Sequence, residues 1–388
     1  MKRTLYLFLS ILLCLVSACQ DYDEPEPETK SKRTVIVYMA AENSLSSYSV
    51  ADTTEMANAA SKVPKDVNYI IYLDGTKYPS IYTLTAQTGL KVWKEYKSDQ
   101  DSADSTILLN TLKEIANEFP AEHYGLVMWS HATGWVNRKE AKRRDIILID
   151  NNRNSSASNA GSEMNISELR WALENFKHLD YIFFDACFMQ SIEAAYELRN
   201  VTDYIVGSPA EIPGNGAPYE MIMPALCKGD AAEIANQYYN GYKDGDGVTL
   251  SVIDCSKLEA LAEKTAQYIP TLWANKADLN TSGVQYYVPF TAYNGYRPEP
   301  YDMNSAMHKY LSEEAYKDWK PYWEAAVPVR KATPTWYSIF FEGVLTDPDY
   351  YGGLSMFIPN AKYEAHQWNA QFQTTQWYAA TGWSQTGW

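Results

Sequence analysis

Cysteine and histidine are both scarce, with 5 of each among 388 residues. The two types nowhere cluster at the close spacings of a zinc site, so the sequence supplies no Cys/His metal centre. No Gly-x-Ser-x-Gly elbow follows a strand, which removes the usual serine-hydrolase arrangement. Basic residues are in deficit, 33 against 48 acidic ones, for a formal charge of −15. Such a surface repels phosphate backbones and anionic membranes, so nucleic acid is not an expected partner. There is no internal repeat. No apolar run is long enough to span a bilayer, the longest being the N-terminal stretch 5–16. Aromatic residues, by contrast, are plentiful at 31 Tyr and 12 Trp, in a chain that is 46% apolar. They fit a large core with an aromatic rim, the alternative being a face that binds peptide or glycan.

The N-terminus combines Lys2 and Arg3, the apolar stretch, and small residues Ser17 and Ala18 before Cys19. This is a signal-peptide pattern over residues 1–18. Val16, Ser17, Ala18 and Cys19 resemble the lipobox of bacterial lipoproteins, which implies lipidation at Cys19, a membrane anchor and a place in the cell envelope, on the periplasmic or surface face of the outer membrane. The alternative is an ordinary cleaved signal. Residues 19–33 are acidic and carry Pro25 and Pro27, so they read as a disordered tether. Once Cys14 and Cys19 are set aside, Cys187, Cys227 and Cys255 remain, an odd number that leaves at least one free thiol.

Beyond the tether, strand patterns at 34–39, 67–73, 125–129, 146–149, 181–184, 204–206 and 248–253 alternate with helical patterns at 47–61, 105–119, 167–176, 188–198 and 231–238. Such alternation predicts an α/β fold with a mostly parallel sheet covered on both faces. Ser167 offers a helix start, but Arg170 stands where a capping box needs Glu. Residues 34–255 thus form the expected core. Residues 256–388, with helices at 257–269 and 313–326 and strands at 284–290 and 354–358, read as an accessory region packed on it. Residues 138–145 (RKEAKRRD) are the one basic cluster, beside the polar stretch 151–162. That pairing suits a proteolytic nicking site or a plain solvated loop.

Two buried-strand patterns end on reactive residues. GLVMWS, 125–130, runs into His131, and YIFF, 181–184, runs into Asp185, Ala186 and Cys187. In open α/β sheets, functional groups gather at the carboxyl ends of the strands, so neighbouring strands would bring thiol and imidazole to one edge. A helix beginning near Phe188 would place Cys187 at its N-terminus, where unpaired amides favour the thiolate. The candidate chemistry is a Cys187 nucleophile with His131 as base, and the amides of Ala132 and Cys187 holding the oxyanion. The bland alternative is an inert core thiol.

Four ordered blocks, YMAAENSL at 38–45, WSHATGW at 129–135, FDACFM at 184–189 and EIPGNG at 211–216, resemble the clostripain-type C11 cysteine peptidases of the caspase-like clan. The resemblance implies an α/β/α sandwich, protein or peptide substrates, and a His131/Cys187 dyad. It also implies an acidic S1 pocket with Asp185 as one wall and cleavage after Arg or Lys. Two positions depart from the family pattern: Ala132 stands where Gly is usual, and Asn215 replaces the Asp between two glycines, removing a second S1 charge. Family members are often nicked between histidine and cysteine, for which Arg144 and Arg153 are the candidates. Calcium is implied for some relatives only, and the turn 244–247 (DGDG) lacks the ligand pattern of an EF-hand. No metal or other cofactor is otherwise expected. The competing reading is a non-catalytic surface lipoprotein of the same fold that binds through an aromatic face including Trp377, Trp383 and Trp388.

Overall fold

Strand β1 (Ser31–Ala40) is buried along almost its whole length, as a β-branched run enclosed on both faces must be. It sits centrally in a nine-stranded sheet of a computed structural model that describes residues 30–75, 77–136, 163–289, 297–339 and 341–388. On either side of β1, β2 (Val67–Asp74) and β5 (Ala121–Trp129) pair with it in parallel. β6 (Leu179–Asp185) and β7 (Thr202–Gly207) extend the parallel run. Antiparallel strands close both ends: β3 (Ser80–Thr85) and β4 (Gly89–Glu95) beyond β2, and β8 (Thr249–Asp254) beyond β7.

Alternate residues of each central strand face opposite layers. Val35, Val37, Met39, Val127 and Phe183 pack with α1 (Ser46–Asn58), α5 (Tyr219–Lys228) and α6 (Ala231–Tyr242). Ile36, Tyr38, Leu126, Met128 and Ile182 pack with α2 (Ser105–Glu118), α3 (Ile166–Glu174), α4 (Ile192–Leu198) and α7 (Leu258–Ala266). The result is the expected α/β/α sandwich with a mostly parallel sheet.

Several local expectations shift. β1 begins at Ser31, so the tether reading fails at its last three residues, where Arg33 is buried and bonded to Asp180. The β3–β4 hairpin is an addition to the expected strands. Helix α3 is capped one turn's edge earlier than Ser167: Asn165 accepts from the Glu168 amide and Glu168 answers, completing the capping box. The strand expected at 284–290 is an isolated bridge at Tyr286, and that at 354–358 shortens to Ser355–Met356, paired with β9 (Tyr301–Asp302). The strand expected at 146–149 lies outside the described residues.

The C-terminal region is built into the sandwich, and Ser31–Trp388 forms one compact unit. β10 (Val329–Ala332) is the edge strand next to β8. The Ser355 amide donates to the Gln190 carbonyl, and the Phe357 amide donates to Glu193 Oε1 at 2.7 Å. Trp377 and Trp383 are fully buried and Trp388 nearly so. All three described cysteines are free thiols.

Glu193 is a fully buried acid on α4, and burial raises its pKa from 4.5 to about 7. The folded state therefore holds its proton more tightly than the unfolded chain does. The stability it contributes is complete at low pH and is lost as pH rises through about 7. The thermal midpoint should fall between about pH 5 and about pH 8, and Glu193→Gln, which keeps the acceptor for Phe357, should flatten that fall. An unchanged slope in the variant would locate the sensitivity elsewhere.

Candidate active site

The parallel pairing of β5 with β6 sets Trp129 opposite Asp185. His131 and Cys187 each follow two residues later, so both leave the same edge of the sheet on adjacent strands. The chain does not turn directly into a helix after the thiol. α4 starts at Ile192 behind the cap Ser191, which corrects the expected start at Phe188. Instead Phe188 takes a left-handed conformation, φ 62°, uncommon and costly for a bulky side chain. Its amide donates to the Ala210 carbonyl at 2.9 Å, and its ring lies under the Arg297 guanidinium, 3.4 Å from carbon to ring centroid. Cys187 therefore sits in a braced tight turn rather than at a helix N-terminus.

Arg297 also donates to the Thr133 carbonyl at 2.7 Å. One buried cation from the C-terminal region thus ties the loop after His131 to the turn after Cys187. The loops also touch at Gly134, φ 89°, where an added Cβ would lie 3.2 Å from the Phe188 carbonyl oxygen. Across the imidazole, Ser44 Oγ shares a 2.7 Å hydrogen bond with His131 Nε2. Asn43 positions that serine: its amide nitrogen donates to the Ala40 carbonyl, and its carbonyl oxygen accepts from the Leu45 amide. Ser130 Oγ donates to the same Ala40 carbonyl.

The electrostatics favour neutral partners. Burial holds the His131 pKa below 6.5, so the imidazole is neutral and able to accept a proton. Part of Cys187 reaches solvent, yet its sulfur is closely surrounded and burial pushes the thiol up to about 12. An amide hydrogen bond from Ile212, 3.4 Å from Sγ, and the nearby Arg297 oppose that rise, while Glu211 adds to it. The expected thiolate-favouring helix terminus is therefore absent, and the resting thiol is protonated. Among the described residues, the side-chain hydrogen bonds of the pair go to Ser44 and Ile212, not to each other. Ala132 is buried beside His131.

Asp185 is buried at the end of β6, with Oδ2 accepting from the Ala217 amide at 3.1 Å and from the Tyr219 hydroxyl at 2.9 Å. Asn215 is exposed in the turn 213–216, whereas its neighbour Gly216 is buried over Asp185. Arg144, Arg153 and Cys19 lie outside the described residues. The turn 244–247 is closed locally, with Lys243 on Asp244 at 2.6 Å. Among the described residues, the acids near enough to share an ion are Glu42, Asp74 and Asp99, with ligand atoms within 4.8 Å.

The family model described as the Clostripain family matches residues 37–388. The chain belongs to the clostripain family. It is a cysteine endopeptidase of caspase-like fold, acting on peptides. Among solved structures, it is similar to a secreted C11 cysteine protease from Bacteroides thetaiotaomicron bound to an irreversible peptide inhibitor, at 30% identity and TM-score 0.77, covering 91% of this chain and 99% of that one. An inactive zymogen C11 protease from Parabacteroides distasonis is similar at 29% identity and TM-score 0.75, over the same shares. No curated protein sequence matches. In this clostripain-family chain the sequence alone does not point to Ser44 or Arg297. Ser44 lies inside a block that carries the family resemblance, but nothing local to Arg297 announces its contact with loops more than a hundred residues earlier.

Two outcomes follow for the peptidase. With His131 as the base, the acid limb of kcat/KM should lie below pH 6.5, because the imidazole gains its proton only once pH falls through its lowered pKa. Arg297→Met should lower kcat by about tenfold or more with a smaller change in KM, since misplacing a reacting group is costly. Equal losses in both parameters would contradict the positioning role.

Proposed function

We propose that this peptidase cleaves after Arg or Lys with Cys187 as nucleophile and His131 as base. The observation that carries the reading is the β5–β6 register, which delivers both groups to one edge with Asp185 beside them. Cys187 Sγ attacks the scissile carbonyl carbon as its proton passes to His131. The amides of Ala132 and Cys187 receive the oxyanion. His131 then protonates the leaving amine as the C–N bond breaks, leaving a thioester. Water, deprotonated by His131, hydrolyses that thioester and restores the thiol. Starting from a neutral pair, the proton moves with the attack rather than before it. The cycle uses no metal or other cofactor.

Basic P1 selectivity is supported by the buried carboxylate of Asp185, since a charge-assisted pair discriminates strongly against neutral side chains. Nicking at Arg144 or Arg153 would follow from the same selectivity, and the zymogen nature of the Parabacteroides distasonis protein supports processing as a control. Lipidation at Cys19 would hold the enzyme on the cell envelope, in keeping with the secreted Bacteroides thetaiotaomicron protein. The aromatic-face alternative loses its support, because Trp377, Trp383 and Trp388 are buried.

Residues 31–388 incubated with a diverse peptide library, beside Cys187→Ala and His131→Ala, should give cleavage after Arg and Lys in the unmodified protein only. Mass spectrometry of the products reads this directly. Cleavage after other residues would remove the basic selectivity, and cleavage by Cys187→Ala would remove the nucleophile.

A further inference from the structure

Asp185 does not stand alone. Asp52, from the middle of α1, is equally buried, and its Oδ2 accepts the Trp129 indole N–H at 2.6 Å. Trp129 is the residue paired with Asp185 in the sheet, so the two carboxyls flank the last rung of the β5–β6 ladder. Both point at Gly216: a Cβ there would lie 3.0 Å from Asp185 Oδ2 and 3.1 Å from Asp52 Oδ2. That common contact puts the two oxygens within about 6 Å of each other. Gly216, φ 63°, is thus doubly required, by its backbone conformation and because the two carboxyl oxygens already crowd the place of a side chain.

The surroundings of this pair are acidic. Asp185 and Glu55 are the charges that act on Asp52, and among the described residues no basic side chain forms an ion pair with either aspartate. Asp185 Oδ1 is buried with no hydrogen-bond partner among the described residues. Burying two acids side by side without a cation is unfavourable, and an incoming ammonium or guanidinium would relieve it. Asp185 lies two residues back along β6 from the thiol, and Asp52 is bonded to Trp129, two residues back along β5 from the imidazole. A P1 side chain, whose carbonyl carbon must sit at Cys187, would extend in that direction.

We infer that Asp52 is the second carboxylate of the S1 pocket, and that Asp52 and Asp185 together hold the cationic head of a P1 Arg or Lys beside Gly216. The inference rests on the proposed Cys187 chemistry and basic selectivity. It assigns to α1 the charge that Asn215, exposed in its turn, does not provide.

The test compares kcat/KM for two peptides that differ only in P1 arginine or its neutral isostere citrulline. The unmodified enzyme should prefer arginine strongly. Asp52→Asn should cut the arginine-to-citrulline ratio by about tenfold or more, as expected when a charge-assisted contact becomes neutral. Asp52→Ser, smaller and uncharged, serves as the second variant. Active-site titration and thermal melts keep folding losses out of the ratio. A ratio near one in the unmodified enzyme would overturn basic selectivity itself. A strong preference that survives in the Asp52 variants would overturn the Asp52 assignment alone, leaving the pair an internal carboxyl contact. Should neither variant fold, a crystal structure of the unmodified enzyme inactivated by a P1-lysine peptide electrophile decides. The lysine Nζ should lie within about 3.2 Å of an Asp52 oxygen, and an Nζ contacting Asp185 without Asp52 would refute the inference.

Discussion

The parallel pairing of β5 with β6, in the register that faces Trp129 with Asp185, is the constraint on which the rest depends. A slip of one residue would displace one strand end by about 3.3 Å relative to the other and send one strand's side chains into the opposite layers. The register is held because both strands are packed on both faces, Val127 and Phe183 in one layer and Met128 and Ile182 in the other. The groups of the candidate site hang on the same rung. The thiol and imidazole follow it by two residues, Trp129 anchors Asp52, and Asp185 ends the partner strand.

A second dependence runs through the C-terminal region. Arg297 ties the carbonyl of Thr133 to the ring of Phe188, so a residue remote in sequence holds the His131 loop against the Cys187 turn. Glu193 fastens the backbone at Phe357, and Phe357 packs edge-on against Trp135 of the histidine loop. The region is better described as a wall of the site than as an attachment to it. Its tryptophans Trp377, Trp383 and Trp388 fill the interior.

The sheet was legible because its central strands are short, apolar and bounded by polar residues. That His131 and Cys187 leave one edge of the sheet was legible for the same reason, since both stand immediately past such runs. Less was readable where tertiary contacts override local pattern. Phe188, Ile192, Ala195 and Tyr196 have the spacing of one helical face, yet the chain turns left-handed at Phe188 under the stacked Arg297 and starts its helix at Ile192. A polar residue inside a helix, such as Asp52, reads as surface until its neighbours are known. The hairpin of β3 and β4 lay in a polar, half-exposed stretch whose alternation is weak. The cap of α3 is ambiguous in sequence because two polar residues on either side of Ile166, Asn165 and Ser167, both qualify, and only the position of Glu168 decides between them.

The central claim is that one thiol and one imidazole share a working edge of the sheet. Its most direct test is to incubate the protein with a peptide electrophile ending in arginine and locate the adduct by mass spectrometry. The account predicts a single adduct, on Cys187, formed far more slowly in His131→Ala. Adducts on Cys227 or Cys255 instead, or equal labelling of Cys187 without His131, would contradict it.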